Sequence, residues 1–107
     1  GYRDAMAAAG LAHRARILHV PVDPARSAAE VQAILAAPDR PRALFCWSDL
    51  HGVLVVNLCH KLGLRVPEDI AIAAFDNTPV AAMPLVGLTS IDQSGRTLGA
   101  LAAQALM

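Results

Sequence analysis

An α/β fold built on a parallel sheet is predicted by three features of this sequence. Apolar runs of strand length alternate with segments of helical periodicity, in the order helix, strand, helix, strand, helix, strand. The runs Ala43-Leu-Phe-Cys-Trp47 and Ile70-Ala-Ile-Ala-Ala-Phe75 are continuously apolar, as in strands covered on both faces. Each apolar run ends on polar residues, where the loops of a parallel sheet begin.

The elements follow in order. Residues 2–10 place Met6, Ala9 and their apolar neighbours at helical spacing and stop at Gly10. Residues 16–22 (RILHVPV) form a short β-like run that ends at Asp23-Pro24, a turn dipeptide. Ser27 and Glu30 have the spacing of a capping box, which predicts a helix over 28–37 with Val31, Ile34 and Leu35 on one face. The PDRP stretch at 38–41 ends it, and 43–47 is the next strand.

Ser48-Asp49 supplies an N-cap for a helix carrying Val53, Val56, Leu58 and Leu62, which stops at Gly63. Residues 66–69 turn the chain into the strand 70–75. Residues 78–84 allow only a short turn of helix between prolines; 88–91 is a further β-like run. Ser94-Gly95 opens a last helix with Leu98, Leu101, Ala102 and Ala105 at helical spacing.

Composition narrows the function. A chain of 107 residues supports one core, and 9 basic against 9 acidic residues leave no net charge. Such a balance lacks the basic footprint of a phosphate-binding surface, so this piece is not expected to hold DNA itself. No apolar run reaches the roughly 18 residues of a membrane helix. Cys46 and Cys59 lack metal or redox spacing and read as buried thiols of a reducing compartment. The first residue is glycine, so any start codon, signal or upstream domain is expected to lie outside this text.

Three predicted strand ends carry polar or special residues: Val22-Asp23, Trp47-Ser48-Asp49 and Phe75-Asp76-Asn77. Their convergence at one rim of a parallel sheet makes that rim the candidate site. Each residue has a plainer alternative. Asp49 reads first as a helix cap, Asp23 as a turn acid, and Asp76 stands equally between turn acid and ligand contact. Trp47 either packs in the core or offers a flat face to a ligand, and Ser48 could present its hydroxyl to the same space. His51 and His60 are nine apart and fall on different faces of one helix, so neither they nor His13 and His19 make a metal site. Signatures of hydrolases, P-loops and dinucleotide sites do not occur, and no enzyme or cofactor is expected.

The run FCWSDLHGVLVVNLCHKLGLRVPEDIAIAAFDNTPVAAMPLVGLTSIDQ, together with the opening GYRDAMAAAG, resembles the effector-binding domain of the lactose/galactose repressor (LacI/GalR) family of bacterial transcription regulators. In that family a helix closes with G-L-x-V-P-x-D, the next strand ends in G-[YF]-D-[DN], and a loop leads to P-L-T-T-[IV]-x-Q. Here Ala74 replaces the glycine before Phe75, Val86-Gly87 replaces a proline pair, and Trp47-Ser48 stands where Ala-Asn or Gly-Gly is common.

The resemblance implies a type I periplasmic-binding-protein-like lobe, incomplete, with effector bound in a cleft between two lobes. Residues 1–90 would be the C-terminal lobe without its first strand, and 91–107 the crossover and a helix returning to the N-terminal lobe. The DNA-reading helix-turn-helix would lie upstream. Carried over, Asp76 accepts hydrogen bonds from effector hydroxyls or ring N–H groups, Ser48 stands at an amide position facing the ligand, and Val22 at an aromatic one. Trp47 would substitute for that ring, and Asp49 completes the candidate ligand-binding set.

Val53, Asn57, Val80 and Met83 match positions of a homodimer interface. The implied protein is a cytoplasmic regulator sensing a sugar or nucleoside-like molecule and binding operator DNA through its missing domain. The alternative is a solute-binding protein of a sugar transporter, which shares the fold.

Overall fold

The computed structural model describes residues 1–107. Its order is α1 (Tyr2–Ala8), a 3-10 turn (Ala12–Arg14), α2 (Pro24–Ala36), β1 (Ala43–Phe45), α3 (Asp49–Lys61), β2 (Ala71–Asp76), β3 (Thr89–Asp92) and α4 (Gly95–Leu106). The three strands form one parallel sheet in the order β1-β2-β3, as the alternation of elements predicts. Register is set by Phe45 opposite Ala73 and by Asp76 opposite Asp92.

One helix layer covers this sheet. Val55, Val56, Leu58 and Cys59 of α3 pack with Ile70, Ile72 and Ala74, and Val31 and Leu35 bring α2 into the same core. The approach is close at Gly52: a Cβ there would lie 2.5 Å from Leu88 Cδ2 and 3.1 Å from Ala74 Cβ, so the bare backbone lets α3 sit down on the sheet. Phe45 and Ile91, which alternate with the core-facing residues, stay about half exposed. The expectation that both faces of the sheet are covered is therefore corrected to one.

The expected strand at 16–22 does not form; the segment is irregular and pairs with nothing. Pro21, the sixth of the seven residues, removes a ladder donor from this run, which confines such a segment to an edge or to no sheet at all. Ile17 and Leu18 are accordingly exposed, and β1 is the sheet's edge.

The start of α2 is also corrected. Asp23, not Ser27, is its N-cap: Oδ1 accepts the Arg26 N–H at 2.8 Å, and Pro24 stands at the first helical position where its missing donor costs nothing. Ser27 is instead buried in the first turn with its hydroxyl lacking a partner. Removing an unpaired buried hydroxyl relieves a desolvation cost, so Ser27→Ala is expected to raise stability by about 1 kcal/mol, measured by denaturant titration.

The cysteines are free and buried, as their apolar surroundings predict; burial, then the neighbouring Cys59, pushes the Cys46 thiol up to about 11. The chain is extended for its length. Its radius of gyration is 15.9 Å, against the about 13 Å of a compact 100-residue domain. Helices α1 and α4 bury no residue, and Leu98, Leu101 and Leu106 leave the apolar stripe of α4 open. No helix is long and apolar enough to cross a membrane.

Candidate functional site

Because the three strands are parallel, their carboxyl ends share one edge, where β1 leads to Trp47-Ser48, β2 to Asp76-Asn77 and β3 to Asp92-Gln93. Two of the three ends predicted from sequence are therefore present. The third is β3, and the loop at Val22-Asp23 has no strand to bring it there. Val22 is fully exposed, at 101% of its reference area, so it packs on none of the rim residues.

Asp76 ends β2 with φ at 115°, and Asn77 follows at 49°. Side chains seldom take such backbone, at a cost of about 1–3 kcal/mol each, unless surrounding contacts hold it. Those contacts are present. Asn77 N–H donates to Ser90 Oγ at 2.9 Å. Thr78 donates through its N–H at 2.6 Å and its hydroxyl at 2.7 Å to Asp49 Oδ2. The Ser90 hydroxyl in turn donates to Asp49 Oδ1 at 2.5 Å. The half-buried Asp76 carboxylate takes a hydrogen bond on Oδ1 from Gln93 Nε2, and Oδ2 has no partner in the chain.

The roles expected of Ser48 and Asp49 divide differently. Ser48 is the cap of α3: its Oγ accepts the His51 N–H at 3.4 Å and lies 3.0 Å from His51 Nδ1. Asp49, only 1% exposed, is the buried acceptor for Thr78 and Ser90 rather than a cap. Burial is the largest single influence on its carboxyl and raises it, but the hydrogen bonds from Ser90 and Thr78 together outweigh burial and hold it below the ordinary aspartate value.

Trp47 stays 69% exposed, its ring 4.7 Å from that of His51 and tilted by 42°. This resolves the tryptophan away from core packing and adds His51 to the rim, a residue that periodicity alone placed on a helix flank. Gln93, Ser90 and Thr78 are likewise members of the site that the sequence did not single out for it.

On the outer side of α3, Val53 is half-buried and Asn57 exposed, with Leu50 exposed one turn earlier. Val80 is half-buried and Met83 exposed in the loop after β2. Concavities of about 220 and about 470 Å³, around Arg16 and Arg40 and around Arg3 and Ile17, include no rim residue.

Asp69, beyond α3, accepts from Arg65 through the side chain at 2.9 Å and the backbone at 2.8 Å, and this pairing holds its carboxyl far below the usual range. Asp49 and Asp69 both bind protons less readily folded than unfolded. Their contribution to stability is therefore complete above the unfolded value of about 4 and is lost as pH falls through the lower folded values. Melting temperature is expected to drop on acidification below about pH 4, and Asp69→Asn to make that drop shallower.

The sequence pattern of the periplasmic binding protein-like domain matches residues 1–107. A transcriptional repressor, PurR, of Aliivibrio salmonicida is 38% identical over 77 residues, covering 72% of this chain and 23% of the relative. PurR of Erwinia tasmaniensis is 31% identical over 108 residues, covering all of this chain and 32% of the relative. The crystal structure of a LacI transcriptional regulator from a Rhodococcus species superposes with a TM-score of 0.84 at 26% identity, over 94% of this chain and 38% of that one. The chain thus spans about a quarter to a third of these curated repressors. Matched along its whole length, it belongs to the periplasmic binding protein-like domain family, in the form found in the effector-binding domains of LacI/GalR regulators.

Proposed function

We propose that this chain is the effector-sensing lobe of a dimeric, cytoplasmic transcriptional repressor. In this reading a sugar or nucleoside-like molecule binds against the carboxyl edge of the sheet, in a cleft closed by a second lobe encoded upstream. The observation that carries the proposal is Asp76: a carboxylate on strained, tightly held backbone at the strand ends, with one oxygen unpaired. An ionised carboxylate accepts hydrogen bonds from vicinal hydroxyls or from ring N–H groups, and exposed Trp47, just after the neighbouring strand β1, offers an apolar face.

The rest of the chain fits this assignment. The open stripe of α4 would pack on the first lobe, and Val53, Asn57, Val80 and Met83 would face a second subunit. Ser48 would act on the ligand through His51 and the helix start it caps, not through a free hydroxyl. A lobe without net charge leaves operator DNA to an upstream domain. The effector must bind one lobe arrangement more tightly than the other, since equal affinity shifts no equilibrium.

The test is a calorimetric screen of pentoses, hexoses, nucleosides and purine bases against the complete regulator, with operator affinity measured in the presence of each. A compound that binds and changes operator affinity supports the proposal. Saturable binding with no effect on the operator points instead to a solute-binding protein.

A further inference from the structure

We infer that Asp49 is the positioning residue for Asp76: its buried carboxylate gathers the residues after Asp76 and holds the turn that aims the ligand-binding side chain. The inference rests on the proposed role of Asp76 and adds a second, internal acid to that site. Asp49 is not a ligand contact: it is 1% exposed, and three internal donors converge on its carboxylate.

The geometry is specific to this task. Oδ2 takes the Thr78 N–H and hydroxyl at 2.6 and 2.7 Å, which fixes the second residue after Asp76. Oδ1 takes the Ser90 hydroxyl at 2.5 Å, and the same oxygen of Ser90 accepts the Asn77 N–H at 2.9 Å, which fixes the first. Two consecutive residues behind Asp76 are therefore tied to one carboxylate, directly or through one hydroxyl. These ties act on the segment where φ runs through 115° at Asp76 and 49° at Asn77.

Strain of this kind persists only when neighbouring contacts over-determine it. Asp49 is itself buried, being 1% exposed and set in the first turn of α3, which packs on β2. Desolvation makes the arrangement demanding: a charged acceptor in a buried position needs several donors, and it receives three. Asparagine at this place would remove the charge and set an NH2 group either against the Thr78 N–H and hydroxyl or in place of the oxygen that accepts from Ser90.

The experiment needs no ligand. The three-bond HN–Hα coupling of Asp76 and the hydrogen exchange of the Thr78 amide are measured by NMR in the wild type, Asp49→Asn, Ser90→Ala, Ser90→Thr and the core control Val56→Ala. A positive φ of 115° gives Asp76 a small coupling, whereas an ordinary strand residue gives a large one. Asp49→Asn and Ser90→Ala are expected to raise the coupling and to speed exchange at Thr78 about 10- to 100-fold, the loss of one charge-assisted bond. Ser90→Thr, which keeps the hydroxyl, restores both, and Val56→Ala moves neither.

The inference is overturned if Asp76 keeps its small coupling and Thr78 its protection in both Asp49→Asn and Ser90→Ala. It is equally overturned if Val56→Ala produces the same changes, or if Ser90→Thr fails to restore them. Failure of the functional proposal is read separately, from effector titrations of the wild type, and leaves these observables untouched.

Discussion

Asp76→Ala is expected to weaken effector binding by about 100-fold or more. Each hydrogen bond to a charged partner contributes about 1.5–3 kcal/mol, and a carboxylate that grips two effector hydroxyls or ring N–H groups loses both on truncation. At about 1.4 kcal/mol per tenfold, the two together exceed a factor of 100. Stability should hardly follow, because the only partner of this carboxylate is exposed Gln93. Asp76→Gly sharpens the comparison. Glycine takes φ of 115° without a steric penalty, so this variant is expected to fold at least as stably as the wild type while losing affinity to the same degree. Calorimetric titration beside thermal melting reads both effects.

Ile70→Ala is expected to cost about 3–4 kcal/mol of stability, measured by denaturant unfolding. Ile70 has no exposed surface, stands directly before β2 and belongs to the cluster that joins α3, α2 and the sheet. The cavity left by three lost carbons cannot close easily, since α3 already sits against the sheet at Gly52. A chain with only one helix layer over its sheet has few other buried side chains to share that loss.

Much of the fold was legible because its signals are local. Gly63 stops α3 with a positive φ, continuous apolar runs become β1 and β2, and the alternation of elements yields a parallel sheet. The errors have physical causes that are also local. Pro21 breaks the ladder that residues 16–22 would need, and the pair Asp23-Pro24 outcompetes Ser27 as a helix start. Apolarity alone implies coverage of both sheet faces, yet β2 alternates between buried and more open positions because helices pack on one side.

The site was half legible. Asp76 stood out as a carboxylate delivered by a buried strand, and the family resemblance gave it a role. Asp49 looks like a cap in the sequence because its partners are distant along the chain: Thr78 lies 29 residues away and Ser90 41. No periodicity reports such a pairing, and the same holds for Gln93 meeting Asp76 across 17 residues. Trp47 and His51, by contrast, meet across a single helical turn, a spacing that sequence does contain.

The most direct measurement is an NMR titration of the isotope-labelled regulator with the pentoses, hexoses, nucleosides and purine bases of the screen. A binding compound is expected to shift the amides of Asp76, Asn77 and Gln93 and the indole N–H of Trp47, and Asp76→Ala to abolish those shifts. A compound that binds while leaving these four signals unmoved, or that binds Asp76→Ala as tightly as the wild type, would contradict this expectation.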